Sequence, residues 1–257
     1  MDILQSVLLG VVEGVTEFLP ISSTGHLILA NKILGVPQND FIKSFEIIIQ
    51  LGAIASVIFL YWKSLVNPKI LKKLAAAFIP TGIIGLLFYK IVKTHLLGNE
   101  SVVLWSLILG GLALIIFEYY HVKTNDTEKG VSEISYGQAV LIGFFQSIAI
   151  IPGVSRSAAT IIGGLSMGIK RAVIVEFSFL LAVPTMLAAS GLDLVKNYST
   201  LFSTENFWPL AVGFIVSFVV ALGSIKFLLN HIQKHNFIPF GIYRIAAALL
   251  FWMVFFG

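Results

Sequence analysis

Residues 3–34 read ILQSVLLGVVEGVTEFLPISSTGHLILANKIL, an apolar run broken at its centre by Pro20 and by a cluster of charged and hydroxyl side chains. A second run, residues 137–168, reads GQAVLIGFFQSIAIIPGVSRSAATIIGGLSMG and breaks at Pro152-Gly153 beside Arg156. A hydrocarbon core about 30 Å thick is crossed by roughly 20 apolar residues, so each run is long enough to cross yet unsuited to one clean helix. Irregular backbone at membrane depth survives only where protein or a water-filled cavity satisfies its polar groups. Each run therefore predicts a re-entrant helix-loop-helix; an ordinary kinked helix is the plainer alternative.

Working outward, six further apolar stretches lie at about 41–62, 74–92, 101–120, 172–190, 207–229 and 238–256, which predicts six spanning helices. The composition agrees: the 257 residues are 57% hydrophobic and 12% charged, with mean hydropathy +0.94. A soluble domain would carry about 25% charged residues. The predicted fold is thus an all-α integral membrane domain over 1–257, six transmembrane helices plus two re-entrant segments.

The two broken runs echo each other. Gly10 and Glu13 match Gly143 and Gln146 and, after one gap, Pro20 and Ser23 match Pro152 and Ser155; three spanning stretches follow each run. This predicts duplicated halves at about 1–125 and 131–257. A second echo, Phe78-Ile79-Pro80 against Phe237-Ile238-Pro239, falls out of order and reads as chance.

Lys63, Lys69, Lys72 and Lys73 make the most basic loop, which the positive-inside rule places in the cytoplasm. By alternation the loops with Lys123 and Lys129, Lys170 and Arg171, and Lys226 and Lys234 also fall inside, and those around Glu100 and 193–205 outside. Lys90 and Lys93 fit less well, near an external end. With three spans between them, the broken runs enter from opposite sides, an inverted-topology repeat with its ligand site near the midplane.

Formal charge +4 and pI 9.2 do not indicate nucleic acid, because the lysines sit in short loops where they set topology. The absence of cysteine excludes disulfides, thiolate metal sites and a cysteine nucleophile. Met1 to Leu9 has no basic n-region or small-residue cleavage site and reads as mature structure.

Chemistry concentrates at the two breaks. Glu13 and Glu17, four apart, share one helix face about 5–6 Å from each other. Each costs about 2.5–3.5 kcal/mol at a bilayer centre, so a shared proton, a divalent cation, or His26 or Arg156 must compensate. Ser22, Ser23 and Thr24 sit where a helix begins. One of them is enough for an N-cap, whereas three with His26 suit phosphate binding and a serine nucleophile. His26 is then the base and Glu17 its orienting acid. In the second run Ser155, Arg156 and Ser157 open a helix with Thr160 one turn in, and the planar guanidinium of Arg156 matches phosphate oxygens or neutralises Glu13 and Glu17. Glu46, Gln50 and Glu176 are weaker polar candidates. His95, His121, His231 and His235 read as solvated or interfacial.

The runs EGVTEFLPISSTGH at 13–26 and PGVSRSAAT at 152–160 resemble both signatures of the BacA-type undecaprenyl-diphosphate phosphatases, the bacitracin resistance family, and the resemblance extends over essentially the whole chain. It implies hydrolysis of the terminal phosphate of undecaprenyl diphosphate, recycling the carrier lipid of bacterial envelope synthesis. It implies stimulation by a divalent cation, Mg2+ or Ca2+, for which Glu13 and Glu17 are the candidate ligands, and catalytic positions at Glu13, Glu17, Ser23, His26 and Arg156. Ser22, Thr24, Ser155, Ser157 and Thr160 are the candidate substrate-binding groups. The expected partners are a polyprenyl diphosphate and membrane lipid, with a homodimer left open. The expected location is the bacterial inner membrane, with the site opening outward. Ser23 and His26 both remain candidate nucleophiles. The competing class is a lipid-phosphate flippase or anion transporter, which needs anion-binding groups but no nucleophile with its base.

Overall fold

The computed structural model describes residues 1–37, 39–96, 99–121, 130–196 and 204–256. Lys123, Lys129 and most of the 193–205 loop lie outside them.

The first broken run folds as α1 (Ile3–Thr16) and α2 (Ser23–Ile33), separated by six non-helical residues that contain Pro20. Helices α3 (Asp40–Leu65), α4 (Pro68–Ile91) and α5 (Glu100–Tyr120) follow. The second run folds as α6 (Tyr136–Ser147) and α7 (Arg156–Ser166), then α8 (Arg171–Lys196), α9 (Thr204–Lys234) and α10 (Ile238–Phe256). No strand occurs among the described residues.

The 14, 11, 12 and 11 residues of α1, α2, α6 and α7 reach about 16–21 Å at 1.5 Å per residue, short of the roughly 30 Å hydrocarbon core. The halves of each broken run are therefore separate, partial elements. Among the described residues five helices, α3, α4, α5, α8 and α9, are long and apolar enough to cross a membrane. The sixth expected span, α10, has 19 residues, about 28 Å, and falls among the shorter apolar helices. Outward-facing Ile79, Ile83, Leu86 and Leu87 on α4 remain exposed, as lipid contact requires.

Polar contacts between helix ends sort the loops into two sets. Gln5 donates to the Leu34 carbonyl at 3.3 Å and Lys32 pairs with Glu100 at 2.6 Å, so the open end of α1–α2 lies with the start of α5. At the other end Lys73 donates to the Ser132 carbonyl. There Glu118 takes both Arg171 and the Phe237 amide, at 2.8 and 3.0 Å. The open end of α6–α7 lies here. The two hairpins thus enter from opposite ends and meet at their tips.

The starts of the two hairpins are built alike. Asp2 caps α1 in a reciprocal box with Gln5, and Ser135 caps α6 in the same way with Gln138; Ser22 caps α2 and Ser155 caps α7. Asp2 and Ser135, Gly10 and Gly143, Glu13 and Gln146, and Ser22 and Ser155 are each 133 residues apart. Ser23 and Arg156, which follow the caps Ser22 and Ser155, share this spacing, whereas Pro20 and Pro152 are 132 apart.

Glycines set the approach of the hairpins to the long helices. A Cβ on Gly10 would lie 2.8 Å from the Gly213 carbonyl of α9, and one on Gly14 2.7 Å from the Ser217 carbonyl, a small-xxx-small contact. Gly143 meets the Ala77 carbonyl of α4 in the corresponding way. Gly10→Ala is expected to destabilise the protein by roughly 1–3 kcal/mol, read as a lower thermal unfolding midpoint of the detergent-purified protein. Gly223→Ala on α9, with open space around it, leaves the midpoint unchanged or slightly raised.

Candidate active site

The tips of the hairpins converge on Glu17. Ser23, the first residue of α2, donates its hydroxyl to Glu17 Oε2 at 2.5 Å, and Arg156, the first residue of α7, donates Nη2 to Glu17 Oε1 at 3.2 Å. One carboxylate, with 3% of its side chain exposed, thereby bridges a hydroxyl from one half of the chain and a guanidinium from the other. Arg156 is fixed from behind by Nη1 on the Ser178 carbonyl at 2.7 Å, and Thr160 shares a hydrogen bond with the Ser178 hydroxyl at 2.6 Å. The Arg156 Nε has no partner.

The remaining hydroxyls divide by role. Ser22 and Ser155 cap their helices through Gly25 N and Ala158 N at 3.4 and 3.2 Å. Ser155 and Ser157 hydrogen-bond at 2.9 Å, and Ser157 donates to the Leu19 carbonyl at 3.0 Å, locking the second tip onto the first. Thr24 alone of the sequence candidates points outward, exposed. Among the described residues Ser22 is the one non-glycine with positive φ, 74°, a sparsely allowed conformation of the kind that collects at functional sites.

His26 is buried beside this group, but its contacts differ from those expected. Nδ1 faces the Ser22 carbonyl at 2.7 Å and Nε2 faces the Tyr243 hydroxyl at 3.0 Å. Glu17 holds Ser23 directly and hydrogen-bonds Arg156 rather than His26, so a linear serine-histidine-acid relay is not the arrangement present. The reason is helical register: Ser22 and His26 are one turn apart, and the ring folds back onto its own helix start.

Glu13 lies fully buried one turn before Glu17, and neither of its carboxylate oxygens has a hydrogen-bond partner. Nearby, Glu46 accepts from Asn31 Nδ2 at 2.6 Å. Two unpartnered hard oxygens are suitable donors for Mg2+ or Ca2+. No group of three or more His, Cys, Asp or Glu that could form a complete cage occurs among the described residues. The carboxylates of Glu13 and Glu17, one turn apart, are thus of the right chemistry to contribute donors to such a cation but do not enclose it. Gln146, at the place of Glu13 in the second hairpin, instead donates to Thr81 and Thr185 at 2.9 and 3.1 Å, a neutral and structural counterpart. Gln50 and Glu176 lie half-buried on α3 and α8. His95 and His235 are exposed, and His121 and His231 half-buried near helix ends, as expected.

Sequence reading missed Arg244. Its guanidinium is wholly buried and hydrogen-bonds only carbonyls: Pro20 at 3.4 Å, Gly153 at 3.1 Å, Ser106 at 2.8 Å and Leu107 at 3.3 Å. Pro20 and Gly153 are the breaks themselves, so one side chain from α10 ties both tips to α5. A Cβ on Gly110 would overlap the guanidinium, which is why α5 carries glycine there. The cost argument that singles out Arg156 applies equally to Arg244, a lone arginine in an apolar helix. Arg244→Met strands four buried acceptors at roughly 1–3 kcal/mol each before relaxation. It is expected to lower the unfolding midpoint sharply and to abolish any activity of the site, whereas Arg244→Lys recovers part of the stability.

Residues 6–250 match the family described as Bacitracin resistance protein BacA. A protein of Aquifex aeolicus named undecaprenyl-diphosphatase is 52% identical over 248 residues, covering 96% of each chain. Proteins of the same name from Wolinella succinogenes and a Sulfurihydrogenibium species are 51% and 50% identical, covering 98% of this chain and 97% and 99% of theirs. With a match over nearly its whole length, and with the Glu17, Ser23 and Arg156 cluster at the meeting of its two hairpins, the chain belongs to the bacitracin resistance protein BacA family.

Proposed function

We propose that the chain is an undecaprenyl-diphosphatase, removing the terminal phosphate of undecaprenyl diphosphate to leave the monophosphate. The name of its half-identical, full-length relatives supports the substrate. The observation that carries the chemistry is the Ser23 hydroxyl held by Glu17 with Arg156 on the other oxygen. A carrier of lipid phosphate needs the guanidinium but has no use for a hydroxyl delivered to a carboxylate.

In this mechanism Ser23 Oγ attacks the terminal phosphorus as Glu17 Oε2 accepts its proton. The bond from that phosphorus to the bridging oxygen breaks, and the lipid monophosphate departs with the bridging oxygen. Water then hydrolyses the phosphoserine: Glu17 returns its proton to Ser23 Oγ as the bond from phosphorus to Oγ breaks, and inorganic phosphate leaves. The free Nε–H of Arg156 takes a phosphate oxygen, and the first-turn amides of α2 and α7 supply further donors. Most of the acceleration is positioning and charge stabilisation. A divalent cation held by Glu13, beside Glu17, would screen the charge on the diphosphate oxygens. His26, with both ring nitrogens engaged, orders the start of α2 around Ser23.

The matched caps, the glycines Gly10 and Gly143, and the hairpins entering from opposite ends support reading the chain as two inverted halves in a bacterial inner membrane. The lysine-rich end, with Lys63, Lys69, Lys72 and Lys73, is then cytoplasmic, so α1–α2 opens outward and brings the site to the outer face.

Purified wild type is expected to release inorganic phosphate from undecaprenyl diphosphate. Ser23→Ala and Arg156→Ala each lower kcat by about 10²-fold or more, and chelation of divalent metal depresses the wild-type rate. Folded protein that binds the lipid but releases no phosphate with metal present would make the carrier reading the better one.

A further inference from the structure

We propose that Tyr243, on α10, is a positioning residue for His26, holding the imidazole as the Nδ1–H tautomer through its phenol. The inference starts from the Ser22 carbonyl, 2.7 Å from His26 Nδ1. A carbonyl oxygen only accepts, so Nδ1 carries a proton. In the neutral ring Nε2 is then a bare acceptor, and the group facing it, 3.0 Å away, is the Tyr243 hydroxyl. That hydroxyl donates to Nε2. The same hydroxyl can accept from Nε2–H when the ring is cationic, so the contact survives either charge state.

The rings add a second constraint, lying 5.5 Å apart and within 7° of parallel. Stacking and the hydrogen bond together fix both the tilt and the tautomer of His26. Few other polar groups compete for Nε2. The side of α5 near α2 is apolar, with Val103, Leu104 and Leu107 buried against Leu29. The neighbouring charge on α10, Arg244, acts on the ring electrostatically but spends its hydrogen bonds on carbonyls. Tyr243 is 46% exposed, so the pair links the buried start of α2 to the protein surface. Ser22, whose carbonyl completes the arrangement, is also the strained cap preceding Ser23. An error in the His26 ring thus passes to the nucleophile through one residue.

The test is Tyr243→Phe, which keeps the stacked ring and deletes only the hydroxyl. Two measurements are made. The first is the rate at which diethyl pyrocarbonate, a reagent for unprotonated imidazole nitrogen, labels His26, followed by mass spectrometry with His231 and His235 as internal controls. Freed of its donor, Nε2 should be labelled several-fold faster in the variant, with the control histidines unchanged. The second rests on the phosphatase reading: kcat for undecaprenyl diphosphate should fall on the order of tenfold, one hydrogen bond's worth, with KM within about twofold. Equal labelling of His26 in the two proteins, or a kcat unchanged by the substitution, overturns the proposal. Wild type that releases no phosphate defeats the phosphatase reading instead, and the labelling rates then decide the role of Tyr243.

Discussion

The Glu17 carboxylate is the point on which the molecule turns. Its two oxygens hold a serine that opens one short helix and an arginine that opens another 133 residues later. A buried carboxylate and a buried guanidinium are each costly to remove from water. Neither hairpin can shelter its own charge, because each is too short to cross a membrane and ends in broken backbone. Meeting tip to tip, they supply each other's counter-charge, and the hydroxyl of Ser23 is drawn into the same place.

The rest of the fold serves that meeting. Gly10 and Gly14 let α1 lie close against α9, Gly143 lets α6 lie close against α4, and Ser157 fastens the second tip to the Leu19 carbonyl of the first. Arg244 binds the bare carbonyls that the breaks expose at Pro20 and Gly153. Backbone groups freed by a break inside lipid need such partners, and a buried arginine with its several donors can satisfy more of them than any neutral side chain. Arg156 and Arg244 differ in how they are used: one leaves its Nε without a partner, the other spends its donors on backbone carbonyls. Glu13 and Gln146 hold corresponding places in the two hairpins but differ in chemistry: both Glu13 oxygens lack partners, whereas the Gln146 NH2 group donates to two threonines.

Much of this was legible in the residues. Pro20 and Pro152-Gly153 mark the breaks because they fall beside charge and hydroxyl clusters in the middle of apolar runs, whereas Pro80, Pro184 and Pro209, without such clusters, lie inside continuous helices. Glu17, Ser23 and Arg156 stand out because charge and hydroxyl clusters are expensive where they lie. Gly10 and Glu13 precede Gly143 and Gln146 by 133 residues, a spacing that the caps Ser22 and Ser155 share, while Pro20 and Pro152 are 132 apart. What the sequence hid is three-dimensional. The histidine's second partner is 217 residues away at Tyr243; the one-turn spacing of Ser22 and His26 permits the contact between them but does not by itself say that Ser23 goes to Glu17. Arg244 was discoverable by the same cost argument as Arg156, but its lack of any neighbouring motif let it pass as part of an apolar span.

The central claim is that the two hairpins build one site by sharing Glu17. The most direct test measures inorganic phosphate release from undecaprenyl diphosphate by Glu17→Gln, Arg156→Gln and the double variant, each purified and checked for folding. If the pair acts as a unit, the double variant is little worse than the poorer single variant, because the second substitution removes nothing further. Losses that multiply, with each residue contributing independently of the other, would contradict the shared site.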